Sequence, residues 1–202
     1  GAGVWWYSLA ASSGAFFVAA GGSGGVYIAS GATGWTQLFQ ILLSANHTFA
    51  VYYKIAGASE AAPTFGYTST VASGLHVFSI QDVNTTTPFN GTGGAGTGYI
   101  TTSSATQAVR GTVPVLTTTV NDTLFLNLMS TNTAVIPMIL EGPVTYEIGA
   151  DYGANTLSLA GSWGVKRSTG TTPNNIYYSF IGAATTQAIL ATIGISPPAT
   201  GA

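Results

Sequence analysis

The hydrophobic pattern of this chain changes period every few residues and never settles into a long helical stripe. "TFAVYYKIA" over 48–56 alternates cleanly, with Phe49, Val51, Tyr53 and Ile55 on one face and Ala50, Tyr52 and Lys54 on the other. "VYIAS" (26–30) follows a glycine-rich turn, and "WTQLFQILLS" (35–44) carries the Thr, Ile and aromatic content of a straight or bent strand. "LHVFSI" (75–80) is apolar on both faces, as in a central strand covered on two sides. "TVPVLTTTV" (112–120) and "TLFLNLMS" (123–130) are split by Asn121-Asp122, a dipeptide suited to a hairpin turn. "AVIPMIL" (134–140) contains Pro137, which favours an edge strand. "TYEIGADY", "TLSLAGSW" and "IYYSFIGA" continue the series. "QAILATIGI" (187–195) has helix-like spacing at Ile189, Leu190 and Ile193, but its flanks favour a closing strand.

Short strands punctuated by turns every 8–12 residues predict an all-β chain. The expected architecture is a single jelly-roll-like β-sandwich of about ten to twelve strands, with two inner faces sharing one apolar core. Residues 26–202 form the sandwich, and residues 1–25 are an N-terminal arm or leading strand. Trp35, Phe49, Tyr53, Ile55, Phe78, Leu124 and Leu126 are the expected core. "NTTTPFNGTGGAGTG" (84–98) is expected to be a long mobile or partner-covered loop.

Composition narrows the function. Only 5% of the 202 residues are charged, with four basic and six acidic side chains and a net charge of −2. Binding to nucleic acid needs clustered cations, and only Lys166 and Arg167 are adjacent here. No apolar run reaches the roughly 18 residues of a spanning helix, so membrane insertion is not expected. There are no cysteines, which excludes disulfides and thiolate metal sites. A chain this close to neutrality tends to associate, which favours a subunit of an assembly.

Candidate chemistry is sparse. His47 and His76 have neither a second histidine nor a carboxylate at ligand spacing, and His76 reads as a sheet residue. Glu141, Glu147 and Asp151 lack the oxygen-rich loop of a calcium site. "GGSGG" and "GAGTG" lack the remaining residues of a phosphate loop. Lys54 and Glu60 flank a strand end, where an exposed pair contributes up to about 1 kcal/mol. No catalytic residue, cofactor or metal is expected. Four sequons, at Asn46, Asn84, Asn90 and Asn121, fall in expected turns and are candidate glycosylation sites. Val4, Trp5, Trp6, Tyr7, Phe16 and Phe17 place much apolar area in the leading segment, and are candidate interface residues.

"GWTQLFQ", "FAVYYKIAGASEAAPTF", "SGLHVFSIQDV" and "TPFN" together resemble a β-sandwich module of tailed-bacteriophage virion proteins. Gly34, Trp35, Tyr53, Lys54, Glu60, Phe65 and Pro88 carry the match. The resemblance spans about residues 26–195, with its specific motifs within 34–88. It implies a structural role in a virion, as tail, fibre or capsid-decoration protein, with no enzymatic activity. Its partners would be copies of itself, other structural proteins of the particle and host surface glycans. A rival reading, from the sequons and the low charge, is a secreted filament or surface-layer subunit at the cell surface, with the leading segment adding a strand to its neighbour. A third is a carbohydrate-binding adhesin module, although Trp5, Trp6, Trp35 and Trp163 are dispersed.

Overall fold

The computed structural model describes residues 4–6, 14–22, 28–30, 34–44, 47–56, 64–67, 73–93, 96–97, 99–104, 110–131, 138–141, 147–148, 152–154, 157–166, 169–172, 177–180 and 188–199. Among them every regular element is a β-strand and every pairing between strands is antiparallel. In chain order the strands are β1 (Val4–Trp6), β2 (Gly14–Gly22), β3 (Ile28–Ser30), β4 (Thr36–Ser44), β5 (His47–Ile55), β6 (Thr64–Tyr67) and β7 (Ser73–Gln81). There follow β8 (Thr92–Gly93), β9 (Gly96–Thr97), β10 (Tyr99–Ser104), β11 (Arg110–Thr112), β12 (Thr117–Thr118) and β13 (Thr123–Thr131). The last are β14 (Met138–Glu141), β15 (Glu147–Ile148), β16 (Tyr152–Ala154), β17 (Leu157–Lys166), β18 (Gly170–Thr171), β19 (Tyr177–Phe180) and β20 (Ala188–Ile195). The count exceeds the ten to twelve expected because several connections contain two- or three-residue strands of their own.

Two larger sheets organise the molecule. One has the order β4-β5-β2-β7; the other runs β10-β20-β13-β17-β15, with β16 also on β17. Three small sheets, β1-β6-β3, β11-β19-β14 and β18-β12-β8-β9, complete the pairing. One apolar cluster joins the larger sheets: Phe39, Phe49 and Val51 from the first, and Leu126, Leu128, Ile189, Ala191, Ile193 and Ile195 from the second. Phe39 and Phe49 meet edge to face, with centroids 5.8 Å apart. The alternation in β5 explains its half of the cluster, because Phe49 and Val51 lie inward with Tyr53 and Ile55 packed beside them. Of the expected core, Phe49 and Leu126 are buried, whereas Trp35, Tyr53, Ile55 and Leu124 are half-buried. The side chain of Phe78 is outside the described set.

β13 and β20 of the second sheet are buried on both faces. Leu126 and Leu128 of β13 enter the shared core, yet their alternates Phe125, Asn127 and Met129 are also buried. β20 is buried at all eight positions, which is why its sequence is almost uniformly apolar. The helical alternative for this segment is therefore not what forms: β20 lies between β10 and β13.

Within the leading segment, β2 is paired on both sides within the chain, with β5 and β7, which leaves the expectation of an arm or leading strand untested. Phe16 and Phe17 sit in that inner strand, while Val4–Trp6 pair with β6; Tyr7 is outside the described residues. Three expectations change. Asn121-Asp122 makes a turn, with Asp122 at φ 54°, but no hairpin: β12 pairs with β8 and β18, and β13 with β17 and β20. β7 closes one side of its sheet in place of a central position. Finally, the first part of the 84–98 loop is tied down. Backbone bonds run from Asn84 N to Ser196 O (3.1 Å), Ser196 N to Pro88 O (2.9 Å) and Asn90 N to Gly194 O (3.1 Å), with a bridge between Phe89 and Ile195. Phe89 then packs edge to face on Tyr53, with centroids 4.7 Å apart.

Candidate functional site

A polar seam runs through the shared core. β5 begins with His47 facing inward, and β13 brings Ser130 opposite it from the other sheet. His47 Nε2 lies 3.0 Å from Ser130 Oγ, and both residues are fully buried. His47 Nδ1 is also buried and has no hydrogen-bond partner among the described residues. Burial lowers the pKa of this imidazole from 6.5 to about 4, because nothing in the apolar core solvates its charged form. A serine beside a histidine is a feature of nucleophilic catalysis, but that chemistry needs a third group to orient the ring and a path for substrate. Here Nδ1 has no acceptor among the described residues, and both side chains are fully buried.

On the other face of the second sheet lies a second polar layer. The Thr192 hydroxyl donates to the Pro114 carbonyl at 2.6 Å, and Asn127 Oδ1 lies 3.0 Å away. Asn90 forms a hub nearby. Its Oδ1 accepts from the Thr119 amide (3.3 Å) and the Thr123 hydroxyl (3.0 Å), while Nδ2 is buried without a partner among the described residues. Leu116 fills the space beside Gly91 and Gly194. Gly91 has φ 118°, and a Cβ there would come within 2.8 Å of the Leu116 side chain. At Gly194 a Cβ would collide with the Asn90 carbonyl.

At the surface, a cleft of about 560 Å³ is lined by residues that include Asn84, Asn121, Asp122, Ser196, Pro197 and Pro198. Asn84 Oδ1 accepts from the amides of Thr86 and Thr87 at 3.0 and 2.9 Å, and Asn121 Oδ1 accepts from Thr169 N at 3.1 Å. Two of the four candidate glycosylation sites therefore share one rim. Asn90 is enclosed, so a glycan on its Nδ2 is incompatible with this packing; Asn46 is outside the described residues.

The other candidates do not converge. Lys54 is half-buried, with its Cε 3.2 Å from where a Cβ on Gly34 would lie; Glu60 is outside the described residues. Glu141 and Glu147 lie on strands of different sheets, and Asp151 is outside the described set. Among the described residues, no three His, Asp or Glu side chains come together as a metal would need. The polar seam was missed from sequence because His47 and Ser130 are 83 positions apart, and Asn127 and Thr192 are 65 apart. A usable signal was nonetheless present: Asn127 and Thr192 interrupt otherwise apolar strands, and a buried polar group needs a partner.

Compared with known protein families, characterised proteins and solved structures, the chain matches none.

Proposed function

We propose that the chain is a non-enzymatic structural subunit of an extracellular assembly, in the first instance a bacteriophage virion, and that its two larger sheets form a β-sandwich. The apolar cluster common to both sheets supports the sandwich. One observation carries the assembly: the outer side of β4. No strand among the described residues pairs with that side. Its nine residues, "TQLFQILLS", contain neither a charge nor a proline, and Leu42 is 64% exposed. Soluble proteins guard such edges with lysine, proline or cover, since the unpaired amides and carbonyls invite another strand. β4 has only register shifts between Gln37 and Phe39 and between Leu42 and Ser44, leaving a regular stretch between them. A repeated strand-to-strand contact between subunits uses this edge. The resemblance of residues 34–88 to virion modules supports the particle in which it would operate.

Sedimentation velocity tests this. The wild type is expected to be oligomeric at micromolar concentration, and Leu42→Lys to be monomeric with an unchanged far-UV circular dichroism spectrum. A monomeric wild type overturns the assembly reading.

A second reading, a glycosylated filament or surface-layer subunit, is favoured by the placement of Asn84 and Asn121 on one cleft rim. Peptide mass spectrometry of the native protein would then find glycan at those two positions and none at Asn90. Bare asparagines at both would exclude this reading.

A further inference from the structure

The buried histidine gives the two sheets a chemical property that a purely apolar interface lacks. A neutral imidazole presents one donor and one acceptor; a protonated one presents two donors and a charge. Nε2 has Ser130 at 3.0 Å, whereas Nδ1 has no partner among the described residues. Protonation would therefore bury an unpaired N–H and an unpaired charge in one step, and such burial is costly.

We propose that His47 is an acid-sensitive latch, whose protonation separates β5 from β13 and opens the core between the two larger sheets. The described strands packed around it place no carboxylate in register with His47 or Ser130. In register, His47 faces Ser44 of β4, and its neighbour Thr48 faces Gly22 of β2. Ser130 lies between Leu159 of β17 and Ile189 of β20. β2, β4, β13 and β20 contain no ionisable residue. β5 contributes Lys54, Tyr52 and Tyr53; β17 contributes Lys166 at its far end, and β7, beside β2 and β17, contributes His76. None of these is an anion in acid. Asp82 and Asp122 are exposed, and the whole chain has only six carboxyl side chains.

The direction follows from the lowered pKa. The unfolded chain takes up its proton near 6.5 and the closed form near 4, so the closed form loses stability as pH falls through that window, and the loss is complete below about 4. A shift of this size raises the opening equilibrium by about 300-fold.

The test is hydrogen exchange of the full chain between pH 7.5 and 4, corrected for intrinsic exchange rates, in the wild type, His47→Gln and His76→Gln. Amides of β5 and β13 should lose protection by about 150-fold at pH 4 in the wild type and in His76→Gln, and much less in His47→Gln. An equal loss in His47→Gln overturns the proposal, as does a flat wild-type profile. Should His47→Gln fail to fold, ring proton NMR of the wild type decides, with His76→Gln supplying the assignment. A His47 midpoint near 4 supports the latch, and one near 6.5 overturns it.

Discussion

Gly194 and Gly170 are both glycines in strands, but for different reasons. Gly194 has no room: a side chain there would meet the Asn90 carbonyl and the Leu116 side chain. Gly170 has open space around the position of a Cβ, but φ 124°. Gly194→Ala must displace backbone in a packed region, and is expected to lower stability by about 3 kcal/mol in urea titration. Gly170→Ala meets only conformational strain, and is expected to cost roughly 1–2 kcal/mol. Equal costs for the two would contradict this division. Neither reason was visible in sequence, where both are glycines among 27. Close approach and a positive φ are properties of the folded backbone.

Strands that obey a simple period were legible; strands whose partners lie far along the chain were placed wrongly. β5 alternates because one of its faces meets the shared core. Phe49→Ala is expected to cost about 3–5 kcal/mol, since the ring is fully buried against Phe39. Lys54→Ala, on a half-buried side chain at the strand end, should cost under about 1 kcal/mol. A thermal melt of each variant checks the order. β13 was also legible, yet its neighbours were not. The turn at Asn121-Asp122 suits a hairpin by composition, and long-range pairing with β17 and β20 overrides that preference. The same holds for the candidate site. Sequence located His47 and the sequon asparagines, but burial of Asn90 and the approach of Ser130 to His47 arise only when distant strands meet.

Across the whole molecule, low charge has opposite consequences inside and outside. Outside, it leaves the β4 edge without the lysines that discourage pairing. Inside, it leaves His47 without a counter-ion among the described residues. An assembly built through β4 would be insensitive to moderate salt, because its contacts are backbone hydrogen bonds and apolar side chains. Sedimentation profiles of the wild type in 50 mM and 500 mM salt are expected to coincide, within the screening range where ion-pair contacts weaken. A shift to monomer at the higher salt would mean that charged residues carry the contact.

The position of β20 also sets the order in which the molecule can be made. β20 follows all its partners in the chain, yet lies between β10 and β13. During synthesis those two strands leave the ribosome with facing edges and no strand to join them. The core must wait for residues 188–195, which bring Ile189, Ala191, Ile193 and Ile195 together. Until then, the nascent chain exposes two uncovered strand edges, so chaperone dependence and late, abrupt acquisition of protease resistance are the expected course of its folding.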